Sequence, residues 1–175
     1  YKGEKNLLWY YSQADEIDIR EGRMAYHRYH NMMDAIAEKY ECWSTSEITA
    51  AFCAVSPNND YLGNLRSTVS ILEGLMRGLS NEQIVISTYN HCKDRAIRYL
   101  NKEEKFLVPE RGLKISNFYQ NIVHPTWRHF VTVDGHMVAA FNGDTEATMK
   151  ESIISRGEYK AIRKVINKIA RKKDM

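Results

Sequence analysis

Apolar side chains in this chain return every three or four positions, and that rhythm leaves little besides packed amphipathic helices. Tyr26, Tyr29, Met33, Ile36 and Tyr40 predict one helix from Glu21 onward. Ile48, Ala51, Phe52 and Val55 mark the buried face of another. The stretch Ser44-Thr-Ser-Glu47 before them has capping-box spacing, in which the serine and the glutamate each bond the other's backbone N–H. Pro57 should stop that helix, because the residue before a proline is pushed out of the α region. Asn58, Asn59 and Asp60 then suit a tight corner, with Asp60 as a helix cap. Leu62, Leu65, Val69, Leu72 and Met76 predict the stripe of the next helix, and Gly74, Gly78 and Ser80 read as a loop after it. Tyr89, Cys92, Ala96 and Leu100 predict a further inner face, with His91, Lys93, Asp94, Arg95 and Arg98 outward. A short helix carrying Leu7, Leu8, Tyr10 and Tyr11 is expected first, and one with Tyr159, Ile162, Ile166 and Ile169 inward last. The expected fold class is all-α, and a length of 175 residues predicts one domain.

One stretch carries more chemistry than the rest. Val108 and Pro109, with Gly112 and Lys114 behind them, run directly into Ile115, Phe118, Tyr119 and Ile122, the spacing of one buried helical face. Backbone N–H groups at such a helix start have no intrahelical partner and point outward, so the place is suited to a phosphate. After His124, Pro125, Trp127 and His129, a loop that could line a pocket or cover the core, comes the β-branched run Val131, Thr132 and Val133. Asp134 follows it, placed to cap a further helix through Met137, Val138, Ala139 and Ala140. Asn142, Gly143 and Asp144 signal the next turn.

These two segments resemble the helix-hairpin-helix DNA glycosylases of the endonuclease III kind. The family's hairpin pattern Leu-Pro-Gly-Val-Gly-x-Lys is met by Val108, Pro109, Gly112 and Lys114, and its downstream Val-Asp-x-His by Val133, Asp134 and His136. Glu110 stands where the first hairpin glycine would be. The resemblance extends, at the level of pattern, from Ser44 to Ala140, with N-terminal helices in residues 1–43 and a basic C-terminal helix in 150–175 expected to pack on the core. It implies a helix-hairpin-helix glycosylase-like bundle that binds DNA and flips a damaged or modified base. On that analogy Asp134 stabilises positive charge on the sugar, and Lys114 is the amine that attacks it in members with lyase activity. Arg111, Gly112, Leu113 and His136 are the DNA contacts, and Asn58 or Asn59 is the wedge that fills the gap left by the base. Two alternatives stay open: a virus-type enzyme on the same fold that modifies thymine without cutting the sugar bond, and a DNA-binding module without catalysis.

Composition narrows the rest. No apolar run approaches the roughly 20 residues of a membrane span, no signal peptide is visible, and the chain is expected in the cytoplasm, that of a host cell for a virus-type member. Cys42, Cys53 and Cys92 are odd in number and widely spaced, which predicts neither a disulfide framework nor the four-cysteine iron–sulfur cluster of many endonuclease III relatives. His27, His30, Asp34 and Glu38 lie at helical spacing but fit a solvent face better than a metal site, so neither metal nor cofactor is expected. A monomer is expected. The formal net charge is only +3, yet residues 1–50 carry 6 basic and 9 acidic side chains and residues 150–175 carry 9 basic and 3 acidic. The C-terminal segment is therefore a candidate phosphate-facing surface.

Overall fold

The computed structural model describes residues 2–104, 112–144 and 154–173. Among them the chain is all-α, without a strand. In order come α1 (Lys2–Gln13), α2 (Glu16–Tyr40), α3 (Thr45–Ala54), α4 (Tyr61–Met76), a 3-10 turn (Asn81–Gln83), α5 (Asn90–Leu100), α6 (Leu113–Val123), α7 (Gly135–Asn142) and α8 (Arg156–Lys172). Two compact units result: a central one, His27–Pro125, and a terminal one, Tyr1–Tyr26 with Thr126–Met175.

The central unit is built around α3. Its capping box is formed as expected, with the Ser44 N–H donating to Glu47 Oε2 at 2.8 Å and the Glu47 N–H donating to Ser44 Oγ at 3.3 Å. Every residue from Ile48 to Ala54 is buried, and the helix packs against α4, α5 and α6. A helix covered on several sides is apolar all round rather than striped. Ala50, Ala51 and Ala54 keep its surface shallow enough for close neighbours, while Phe52 joins an aromatic cluster. In that cluster Tyr29 lies 5.2 Å from Tyr61 and 5.9 Å from Phe118, and Phe52 6.0 Å from Phe118. The Trp43 indole closes the unit by donating to the Leu100 carbonyl at 3.1 Å.

Four local expectations need correction. The second helix starts at Glu16 rather than near Glu21, because Asp15 and Asp18 cap it reciprocally: the Asp18 N–H donates to Asp15 Oδ1 at 2.8 Å and the Asp15 N–H to Asp18 Oδ2 at 3.2 Å. On α4 the buried positions are Asn64, Ser67, Thr68, Ile71, Leu72 and Gly74, while the expected stripe residues Leu62 and Met76 stand exposed. Small polar side chains join Ile71 and Leu72 on the buried face there, and the Thr68 hydroxyl donates to the Asn64 carbonyl at 2.8 Å. Gly74 belongs to α4 and not to a loop: a Cβ there would lie 2.5 Å from Ile84, so the glycine admits the chain segment that folds back on the helix. Lys93 points inward, its ammonium donating to the Asn81 carbonyl at 2.6 Å and the Ile84 carbonyl at 2.8 Å, whereas Tyr89 is exposed at the start of α5. A long aliphatic stem lets lysine cross an apolar boundary and place its charge on two backbone carbonyls, one of which, that of Asn81, also accepts the Ile84 N–H at 3.3 Å.

In the terminal unit α1 packs against α7 and α8. Asn6 donates to the Phe141 carbonyl at 2.9 Å, and Gly143 ends α7 in the left-handed conformation. Tyr159, Ile162 and Ile169 turn inward from α8 as expected, with Ile166 half-buried. Each such buried side chain contributes about 1.5–3 kcal/mol. The helix is closed by a second capping box, in which Ser155 accepts from the Glu158 N–H and its own N–H donates to Glu158 Oε2 at 2.7 Å.

Candidate functional site

In the central unit the first feature is the start of α6. Gly112 is its N-cap at φ 159° and ψ 98° and has no side chain of its own to cap the helix, and the Gly112 carbonyl accepts the Ser116 N–H at 3.0 Å. A Cβ on Gly112 would meet nothing within 4 Å, so the glycine is required by backbone conformation alone. Leu113 opens the helix half-buried and Lys114 follows, exposed in the first turn. The face turned inward is that of Ser116, Asn117, Tyr119, Asn121 and Ile122, and Lys114 stands off it. Val108, Pro109, Glu110 and Arg111 lie outside the described residues.

The second feature is the corner between α3 and α4, where the structure separates the two wedge candidates. Asn59 is held: its amide donates to the Val55 carbonyl at 3.2 Å and to Ser67 Oγ at 3.4 Å, and its carbonyl accepts from Ser87 Oγ at 2.9 Å. Ser67 and Ser87 share a further bond at 2.9 Å, Thr88 donates to the Pro57 carbonyl, and Asp60 caps α4 through the Gly63 N–H at 2.6 Å. Asn58 stands exposed at the tip, at φ 55°. A non-glycine residue in that region is held there by its surroundings, and here they are the hydrogen bonds on both sides of it. The sequence showed the asparagines but not Ser67, Ser87 and Thr88, whose separation along the chain gives no local signal. Beside the corner lies a cleft of about 540 Å³ bounded by Asn58, Arg66 and Ser87.

In the terminal unit the start of α7 is closed differently. Asp134 is its N-cap, extended at φ −102° and ψ −175°, and Oδ1 accepts the Met137 N–H at 2.8 Å. The carboxylate is half-buried, and its Oδ2 has no hydrogen bond among the described residues. The run before it, residues 131–133, forms no helix and pairs with no strand among the described residues. Instead the buried Tyr159 hydroxyl donates to the Val131 carbonyl at 2.9 Å and accepts the Val133 N–H at 3.1 Å. One side chain of α8 thus satisfies both backbone groups of the segment that presents Asp134. Sequence reading placed Tyr159 on an apolar stripe and gave no sign of this second duty. His136 is exposed in the first turn of α7. Upstream, Trp127 stacks on His129 at 5.3 Å and on Phe130 at 6.0 Å, with the Trp127 ring half-exposed.

Burial raises the pKa of three further titratable groups in the central unit. Burial pushes the Cys53 thiol well up and the Cys92 thiol up, and pushes the Tyr119 phenol up to about 12. These are poor nucleophiles in place. His30 bonds the Ile122 carbonyl through Nδ1 at 2.9 Å and lies 3.4 Å from Asp34, which ties α2 to α6. Among the described residues no group of three or more His, Cys, Asp or Glu side chains could hold a metal ion, and no helix is long and apolar enough to cross a membrane.

Residues 2–175 match the family model described as "Family of unknown function (DUF7178)", and the chain belongs to that family. No curated protein and no solved structure matches it.

Proposed function

We propose that this member of the DUF7178 family is a DNA-binding enzyme of the base-excision kind, a glycosylase with abasic-site lyase capacity. The observation that carries this reading is the Asp134 carboxylate. One oxygen is held by the first turn of α7, while the other has no partner among the described residues. A carboxylate so anchored costs no reorganisation when a positive charge develops beside it. Breaking an N-glycosidic bond develops that charge on the sugar, as the C1′–N bond lengthens and the base leaves with the bond's electron pair. Asp134 then stabilises the cationic sugar, and Tyr159 holds the preceding backbone. In the lyase branch the Lys114 amine adds to C1′ and gives up a proton, the C1′–O4′ bond opens with O4′ taking a proton to leave a Schiff base, and removal of a C2′ proton then expels the 3′ phosphate.

The central unit supplies two supports. The start of α6, whose N-cap is a glycine with no side chain to offer, suits a backbone phosphate, which positions a strand without reading its sequence. Asn58 at the tip of a hydrogen-bonded corner suits a wedge, since a base extruded from the stack leaves a gap that must be filled against an unstacking cost of a few kcal/mol.

The test is direct. The purified protein is incubated with DNA carrying an abasic site and with DNA carrying modified bases, and the products are examined for cleaved strands, free base and altered mass. Strand cleavage or base release supports the reading. Mass added to thymine without a broken sugar bond would transfer the fold to the base-modifying class, and binding without any product would leave only the non-catalytic module.

A further inference from the structure

The terminal unit holds a groove of about 890 Å³ along α8 that none of the roles above uses. Lys160, Lys164, Lys168 and Arg171 are exposed along it, with Arg163 half-buried at its side. Steps of three and four residues set these cations on one helical stripe. At about 1.5 Å per residue the stripe from Lys160 to Arg171 runs roughly 16 Å, the length of about five nucleotides at about 3.4 Å each along one strand.

The surroundings select the partner. Glu4, the acidic residue of the lining, is already spent: Lys168 reaches it at 2.7 Å and Lys172 at 3.2 Å, and these hydrogen bonds hold its carboxyl below the usual range. Lys160, Arg163, Lys164 and Arg171 have no ion pair among the described residues, so the stripe keeps a strong positive excess. Its lining also carries the apolar side chains of Phe141, Ala161 and Val165. A polymer that combines anionic phosphates with flat, weakly polar bases matches that mixed lining, and unpaired bases can reach apolar side chains where paired ones cannot. An anionic bilayer fits less well. Surface-bound helices sink an apolar face into lipid, and the apolar face of α8, carrying Tyr159, Ile162 and Ile169, is buried within its own unit.

We infer that the α8 groove is a second nucleic-acid site, binding an unpaired strand by its phosphates without sequence preference. It involves neither Lys114 nor Asp134, so binding here is measured on unmodified DNA and needs no base-excision chemistry. The full chain is titrated by fluorescence anisotropy with labelled oligothymidine, with the matching duplex, and with vesicles containing phosphatidylserine, over a range of salt. Three proteins are compared: wild type, Lys160→Glu/Lys164→Glu, and Arg20→Glu/Lys39→Glu, which changes charge equally on α2. Wild type should bind the single strand more tightly than the duplex, and affinity should fall steeply with salt. The α8 variant should lose about tenfold or more at low salt, and its slope of log affinity against log salt should be shallower by about 1.4, near 0.7 per lost contact. The α2 variant should change far less, and both variants should melt with wild type, since all four substituted side chains are exposed. Equal losses in the two variants would reduce the effect to net charge and overturn the site. So would single-strand affinity unchanged in the α8 variant, or vesicle binding with no DNA binding.

Discussion

The two helix starts at α6 and α7 solve the same electrostatic problem in opposite ways. Each exposes backbone N–H groups and the positive end of a helix dipole. At α7 the chain supplies its own anion, and Asp134 takes up the Met137 N–H. At α6 the N-cap Gly112 has no side chain to supply and brings only a backbone conformation that residues with a Cβ rarely adopt. An aspartate N-cap fixes a carboxylate in place, while a glycine N-cap supplies no anion of its own. The functional proposal assigns charge stabilisation at the sugar to the first, and strand anchoring with the Lys114 amine to the second, and substitutions can separate them.

The largest effect is expected at Asp134. Asparagine also caps helices, so Asp134→Asn should shift the melting temperature little. Base release should nonetheless slow by about 100- to 1000-fold, the scale expected when a developing charge loses its fixed partner. Equal loss of stability and rate would make Asp134 a cap and nothing more.

Gly112→Val probes the other start. The new side chain meets no neighbour, so the cost is conformational, about 1–3 kcal/mol by chemical denaturation. DNA affinity should drop alike on every sequence. A variant that binds DNA normally despite that strain would remove α6 from the interface.

The α3–α4 corner extends the contrast between a side chain spent on structure and one left available. Asn59→Ala breaks bonds to Val55, Ser67 and Ser87 and should cost about 1–3 kcal/mol. Asn58→Ala should cost roughly 1 kcal/mol or less, from its left-handed backbone, yet lower base release. If stability falls as far at Asn58 as at Asn59, the wedge assignment loses its basis.

Acid gives the smallest effect. Glu47 and Glu158 close α3 and α8 through their capping boxes. Partial burial pushes the Glu47 carboxyl up, but bonds from Ser44 and Lys102 outweigh it and leave it lowered; the bonds from Ser155 lower that of Glu158. A carboxyl lowered by folding adds stability above the usual glutamate range and loses it as pH falls through the lowered value. Denaturation midpoints should therefore decline below that range. Replacing both glutamates by glutamine should flatten the decline, while Gly112→Val should leave its slope as in wild type.

How much of this was legible depends on what each residue's neighbours are. Helix starts are local, so Ser44, Asp60 and Asp134 could be named as caps from the sequence, and so could the helical periodicity of α2, α3 and α8. The buried face of α4 could not, because Asn64, Ser67 and Thr68 are polar and become interior only when small residues on α3 bring the helices together. Lys93 was placed outward for the same reason: its carbonyl partners come from a turn nine to twelve residues away. At the candidate site, Asn58 and Asn59 look alike in sequence and differ only through Ser67 and Ser87. Tyr159 holds the backbone before Asp134 across a separation of 26 residues or more.

The central claim is that Lys114 is the amine of a base-excision lyase, and borohydride trapping on abasic-site DNA tests it most directly. Reduction converts a Schiff base into a stable covalent adduct. The account predicts an adduct with wild type and none with Lys114→Ala, which should melt like wild type because Lys114 is exposed. An adduct that survives Lys114→Ala would assign the amine elsewhere, and the absence of any adduct with wild type would contradict the lyase chemistry.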